Sequence, residues 1–493
     1  MEELVQLVDV LKTGYNKESL FKKGRKESKE YRFIHLIANG VHASDAALAQ
    51  ELYNTSPDDF RYKMLKHRVK SKLYDLLLLY EYEDTETNLV YRKEQFCQQV
   101  LLKANVLFRN HKFILAAELA NKVIAVSDEY SFTNQKVLAY EIILAALSFT
   151  GKQKAYDRHL ELYNDFLYKK LAEREAQSIY QSVRVSVFKS VKSRKNIVAS
   201  LNAKVEAVKK LWERAGTYEA FNSYYKLSML YFELIGDFDR ILQLTFESER
   251  LIAEGAVNQH RFDSLYNKFI LVYAHLRLKK YTAGLRYAKE FVKFFDEKSI
   301  NWFSFQENFF LLATHSKNYD LAEVTLHQVF SNSLMDKLSV AAKERWRIYQ
   351  AYYVMLNQSN AASSNLINPF LLSLPEYSKD KQGFNVAILI LQFVYYLQKR
   401  DTEALLYRIE SLKKYILTHL KDTFSLRSKI FLKLLILIVT EDYDVESCRK
   451  KGHKLYQKLI ETPIPGDAYA EIEIVPYEHL WEHILDTLQT HYK

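Results

Sequence analysis

One local pattern recurs along this chain and limits the folds open to it: a polar turn, then an aromatic residue, then a small residue three positions on. It reads Asn110-His111-Lys112-Phe113 with Ala116, Leu278-Lys279-Lys280-Tyr281 with Gly284, and Ser316-Lys317-Asn318-Tyr319 with Ala322. A fourth copy, Gly236-Asp237-Phe238, carries Ile241 at the small position. Phe238 to Tyr281 is 43 residues, Tyr281 to Tyr319 is 38, and Phe113 to Phe238 is 125, close to three such steps. Polar turns at Gly151–Lys154, Asn357–Ser364, Arg400–Thr402 and Glu441–Tyr443 fall near the other steps of a period of about 41 residues.

Between the turns the apolar spacing is helical. Leu265, Phe269, Val272 and Leu276 fall on one stripe, and after the turn Leu285, Ala288, Phe291 and Phe295 fall on another. One helical hairpin cannot bury such a stripe alone, so neighbouring hairpins must stack on it. Composition agrees. The 493 residues include only 11 glycines and 6 prolines, too few for the frequent turns of a sheet protein.

The aromatic and small positions resemble the second half of the tetratricopeptide motif, over about residues 95–460. The step exceeds the roughly 34 residues of a standard repeat and overlaps that of HEAT-type helix pairs. The resemblance implies an all-α fold: a right-handed superhelical solenoid of antiparallel helix pairs, with an N-terminal helical cluster and a C-terminal capping helix. We expect a cluster at 1–90, the repeats at 91–462, and a capping segment at 463–493. Gly14, Gly24 and a charge run at 14–32 end the first helix. Asn365–Gly383, with Pro369 and Pro375, reads as a long connection. Pro463, Pro465 and Gly466 end the array, and a last helix starts near Pro476 and carries Trp481 and Leu488.

The net charge of +10 permits attraction to an acidic partner without implying nucleic acid. Cys97 and Cys448 lack any disulfide or zinc spacing, which fits a reducing compartment. The acidic start Met-Glu-Glu-Leu does not read as a signal peptide. The apolar runs Val386–Leu397 and Ile430–Val439 are short of the roughly 20 residues a membrane span needs. The expectation is a soluble cytoplasmic protein with no membrane contact.

Four features invite a functional reading. Ala47–Leu52, Asn54–Pro57, Phe60 and Leu65 follow a helix-turn-helix rhythm, and the stretch after them holds Arg61, Lys63, Lys66, Arg68, Lys70 and Lys72 without an acid. This is a candidate basic interaction surface, whether for phosphates in a groove or simply as a solvated helix face. A second basic stretch runs through Arg184, Lys189, Lys192, Arg194, Lys195, Lys204, Lys209 and Lys210. With Lys22, Lys23, Arg25, Lys26 and Lys29 it concentrates the positive charge in the first 210 residues. His479-Leu-Trp-Glu482-His483 matches the inverted zinc-protease signature, yet Leu480 and Trp481 read as capping contacts, so a structural helix is expected and no metal. Finally, the adjacent pairs Tyr224/Tyr225 and Tyr352/Tyr353 cannot both face inward, since neighbours on a helix sit about 100° apart.

No phosphate-binding, dinucleotide-binding or nucleophile-elbow motif is present; Gly151-Lys152 is followed by Gln153, not Ser or Thr. The sequence therefore leads to a non-enzymatic protein-binding scaffold without cofactors, whose partner is a protein or peptide, acidic by charge. The alternative is a nucleic-acid-binding regulator with a helix-turn-helix-like N-terminus and a repeat sensor domain.

Overall fold

A computed structural model describes residues 1–14, 28–40, 44–85, 88–189, 191–357, 382–420, 426–462 and 473–491. Its regular elements there are helical, twenty-one α-helices with short 3-10 turns and no strand among the described residues. The chain divides into two compact units, Met1–Leu171 and Ala172–Lys493. The expected connection around Pro369 and Pro375, Gly24, and the stop at Pro463–Gly466 lie outside the described residues.

The first unit begins with α1 (Glu2–Lys12), α2 (Lys29–Ala38), α3 (Asp45–Tyr53) and α4 (Phe60–Leu77). They enclose a core of Leu4, Val8, Phe33, Ile34, Leu48, Tyr62, Leu65 and Leu73, and α4 packs on all three of the others. Ser28, Ser44 and Asp59 cap α2, α3 and α4, each side chain accepting a backbone N–H of the first turn. Next come α5 (Leu89–Arg109), α6 (Phe113–Tyr130) and α7 (Thr133–Thr150), all in mutual contact around Cys97, Ala104, Ala116, Ala120 and Ile143. The 37-residue α8 (Gln153–Lys189) follows and runs past the end of this unit.

The second unit contains α9 (Val191–Ala215), α10 (Tyr218–Ile235), α11 (Phe238–Ala253), α12 (Ser264–Arg277), α13 (Tyr281–Phe291), α14 (Ile300–His315) and α15 (Tyr319–Ser331). It continues with α16 (Val340–Leu356), α17 (Gln382–Lys399), α18 (Thr402–His419), α19 (Leu426–Thr440), α20 (Val445–Glu461) and α21 (Tyr477–His491). From α9 to α21 every helix packs on the next, and α12 also touches α14 and α17 touches α19. This is the pattern in which the first helix of a pair meets both its own partner and the first helix of the following pair.

The recurring motif marks real helix starts. Phe113, Phe238, Tyr281 and Tyr319 are the first residues of α6, α11, α13 and α15. Two positions earlier the chain turns through the left-handed region, at His111, Gly236, Lys279 and Lys317. Such a residue lets the backbone reverse within two positions of a helix end. Ala116, Gly284, Ala322 and Ile241, three positions after the aromatics, are all buried.

The period reappears in the hydrogen bonds between successive pairs. Gln135 to Glu94 spans 41 residues, Gln177 to Glu219 spans 42, Tyr225 to Asn267 spans 42, Tyr273 to Glu233 spans 40 and Tyr349 to Glu307 spans 42. Alternate helices are thus bonded at separations of 40 to 42 residues, close to the spacing of the motif.

Three expectations are corrected. Leu265 is 39% exposed and does not join the core stripe of α12. Helix α13 ends at Phe291 and a 3-10 turn, Val292–Phe294, intervenes, so Phe295 is buried from a loop rather than from the helix. And the pair rhythm lapses after Gln153, where α8 continues far beyond the usual length.

Candidate interaction surfaces

In the N-terminal cluster, α3 and α4 are joined by a short turn at residues 54–59 and pack on each other. The turn has no glycine because Asn54 takes the left-handed position, at φ 52° and ψ 49°, a conformation asparagine tolerates better than most residues. The six basic residues of α4 are each paired within the cluster. Arg61 meets Asp59 at 2.8 Å, Lys63 meets Asp58 at 2.9 Å and Lys66 meets Asp45 at 2.7 Å. Lys70 meets Glu3 at 2.8 Å, while Arg68 and Lys72 both reach Glu30, at 3.5 and 3.7 Å. Hydrogen bonds from Lys70 and Tyr74 hold the Glu3 carboxyl below its usual range, so it stays charged. What reads in sequence as an acid-free basic face is locally neutralised by carboxylates from three other places in the fold.

Of the second basic stretch, Lys209 pairs loosely with Glu213 at 3.9 Å. The side chains of 188–196, with Lys189, Lys192, Arg194 and Lys195, lie outside the described residues, as do Lys22, Lys23, Arg25 and Lys26.

The C-terminal segment is seated more deeply than a cap on the last pair. Helix α21 packs on α20 and also on α17. The helix buries Tyr477, Leu480, Trp481, Ile484, Leu485 and Leu488, and the residues before it bury Ile474 and Val475. Its polar anchors reach still earlier helices: Lys279 binds Glu478 at 2.8 Å and Lys317 binds Glu482 at 3.3 Å. Thr314 donates to the Ile474 carbonyl at 3.0 Å and the His315 Nε2–H donates to the Glu473 carbonyl at 2.8 Å. The two cations belong to the left-handed turns of the recurring motif, so the motif supplies this seat.

Arg427 is the centre of that seat and is only 2% exposed. Its Nε and Nη2 donate to both oxygens of Glu473 at 2.5 and 3.0 Å, and Nη2 also to Glu478 at 2.8 Å. Nη1 donates to the carbonyls of Leu459 and Thr462 at 2.6 and 2.8 Å. Burial by itself would lower the pKa of this guanidinium, but the two carboxylates override it and raise it further. A bidentate fork with every remaining donor used is the arrangement in which a buried ion pair is tolerated.

His479, Glu482 and His483 of the zinc-like motif are part of this packing. Glu482 points to Lys317, and the half-buried histidines each have one buried ring nitrogen without a hydrogen-bond partner. Burial lowers both imidazole pKa values, aided for His479 by nearby Lys317. Among the described residues no three His, Cys, Asp or Glu side chains stand where they could share a metal ion.

The surface that the sequence reading missed is on α20. Arg449-Lys450-Lys451-Gly452-His453-Lys454-Leu455-Tyr456-Gln457-Lys458 contains no acid. Cys448, Gly452 and Leu459 face the core, which turns Arg449, Lys450, His453, Lys454 and Lys458 outward as exposed residues. Lys451 pairs with Glu441 at 2.6 Å. The other five make no ion pair among the described residues, in contrast to α4. Positive charge is therefore not confined to the first 210 residues.

Apolar side chains also stand exposed on the first unit: Leu102 and Val106 of α5, Ile114 and Leu115 at the start of α6, and Phe149 at the end of α7, stacked on Phe113 at 4.5 Å. Of the tyrosine pairs, Tyr225 and Tyr352 are buried and hydrogen-bond Asn267 and the Ala387 carbonyl. Tyr224 turns to Trp212 of the preceding helix, stacked at 5.4 Å. No described helix is long and apolar enough to cross a membrane. No family model and no curated protein matches this chain.

Proposed function

We propose that this chain is a non-enzymatic scaffold that binds another protein on the outer faces of tetratricopeptide-like helix pairs, stacked as a right-handed superhelical solenoid. The single observation that carries the reading is the bonding of successive pairs at intervals of 40 to 42 residues. Pairs joined mainly to their neighbours leave one row of helix faces uncovered, and such rows commonly bind extended or helical segments. The exposed Leu102, Ile114 and Phe149 in one unit and the unpaired cations of α20 in the other support it. Two buried free cysteines fit a reducing, cytoplasmic setting.

The rival, a nucleic-acid-binding regulator acting through the N-terminal cluster, has the α3–α4 geometry in its favour. Against it stand the carboxylates that engage Arg61, Lys63, Lys66, Arg68, Lys70 and Lys72, since each phosphate contact would first have to displace one.

The test is in-cell crosslinking followed by purification of the whole chain. The scaffold reading expects one saturable protein partner, with crosslinks on outer helix faces. Recovery of nucleic acid, through crosslinks to α4, would overturn it.

A further inference from the structure

We propose that the outer face of α20 is a docking surface for an acidic helical segment of a partner protein. The inference rests on the scaffold reading and names its surface and the chemistry of its partner.

Helix positions 450, 454 and 458 are successive members of a four-residue row, and 449 and 453 form a second row beside it. With a rise of about 1.5 Å per residue, the charges in a row repeat every 6 Å or so. A partner helix with glutamate or aspartate at every fourth position presents carboxylates at the same interval, so two helices laid side by side stay in register along their length. Charge complementarity of this kind fixes partner choice and speeds encounter more than it adds affinity.

Two features of the face favour a protein helix over other polyanions. A membrane-surface helix needs a free apolar side, whereas Cys448, Leu455 and Leu459 of α20 are packed against the core. A single-stranded nucleic acid binds through aromatic platforms; the one aromatic of the run, Tyr456, is also packed against the core. A duplex bound tightly through phosphates engages roughly six to ten cations, more than Arg449, Lys450, Lys454 and Lys458 supply.

The contrast within the molecule gives the inference its weight. Helix α4 has a comparable density of cations, and each is held by a carboxylate of the same cluster. Helix α20 has Asp444 as its N-cap, Glu446 in its first turn and Glu461 as its last residue, and no acid between 449 and 458. The run keeps its charge available at the surface.

The test measures binding of the whole chain to four probes by fluorescence anisotropy. They are a synthetic helical peptide with glutamate at every fourth position, the same peptide with glutamine instead, a blunt DNA duplex, and phosphatidylserine-containing vesicles. The expected result is binding to the glutamate peptide alone, weakened about tenfold between about 50 mM and about 300 mM salt. The variant Lys450→Glu/Lys454→Glu/Lys458→Glu should lose at least about tenfold more than Lys66→Glu/Lys70→Glu on α4. These side chains are exposed, so the melting temperature should hold, and Lys450→Gln/Lys454→Gln/Lys458→Gln should fall between wild type and reversal. Equal binding by wild type and the α20 reversal overturns the inference, as does tighter binding to duplex or vesicles that the reversal abolishes. If the crosslinked partner is captured equally by the α20 reversal, this surface is wrong while the scaffold reading stands. If the wild type captures no protein while the peptide result holds, the reverse is true.

Discussion

A Cβ added at residue 284 would stand 2.7 Å from Leu312 Cδ2 and 3.1 Å from His275 Cβ. Gly284 is the small residue of the recurring motif, so its missing methyl sets how closely α13 approaches α12 and α14. Leu312 is fully buried and has little room to rotate away. Gly284→Ala should therefore destabilise by about 1–3 kcal/mol despite the better helix propensity of alanine, read as a shift in urea midpoint at unchanged slope. Adding Leu312→Ala should cost less in the Gly284→Ala background than in wild type, because the two changes share one space. This much was legible in sequence: an aromatic at a helix start and a small residue one turn on have a geometric reason that recurs. Arg427 was not legible. Its carboxylate partners lie 46 and 51 residues away in the sequence, and no local spacing connects them. Arg427→Leu would leave Glu473 and Glu478 without their buried counter-charge and should cost about 3–5 kcal/mol. Adding Glu473→Gln and Glu478→Gln should restore a large part of that loss, a coupling a double-mutant cycle would measure.

At the level of elements, helix starts and the stacking interval could be read from the chain because both are local and repeated. The state of each charged face could not, because it depends on which distant segment lands beside it. Helix α4 and helix α20 look alike in sequence, yet Glu3 and Glu30 pair with cations of the first, while Arg449, Lys450, Lys454 and Lys458 of the second make no ion pair among the described residues. The same reasoning bears on the seat of the C-terminal segment. His315 spends its Nε2–H on the Glu473 carbonyl, and its Nδ1 is buried without a partner. Burial lowers its pKa from 6.5 to about 4, and the neighbouring His479 and Lys279 act in the same direction, opposed by the Glu473 carbonyl and Glu478. The unfolded chain then binds a proton that the folded chain refuses. The stability tied to the neutral imidazole is complete above pH 6.5 and is lost as pH falls toward 4, a difference of up to about 3 kcal/mol. His479 and His483 are shifted in the same direction. Melting temperature should thus drop steeply between about pH 6 and pH 4. His315→Gln, which keeps a donor for the Glu473 carbonyl and cannot be charged, should flatten part of that drop. An unchanged profile in this variant would assign the acid sensitivity elsewhere.

On the scale of the whole molecule, a chain whose helices bond mainly to their neighbours should not unfold as one piece. The hydrophobic clusters of residues 4–73 and 97–143 belong to the first unit, and the large cluster that runs from Val272 to Leu488 belongs to the second. The last of these is closed by α21 and the residues just before it, which together contribute eight buried apolar side chains, each worth roughly 1.5–3 kcal/mol on burial. A chain ending at residue 472 would expose the surfaces of α17 and α20 and strand Arg427 without its carboxylates. The cores of the first unit are built from its own residues. Hydrogen exchange should accordingly show lost protection in α17, α19 and α20, decreasing back toward α12 as the anchors at Lys279 and Lys317 disappear, with α1–α7 unchanged. The wild type should show separate opening of the two units as denaturant rises. Uniform loss of protection along the truncated chain would mean that stability is shared globally, and a stack of semi-independent pairs would then be the wrong physical picture.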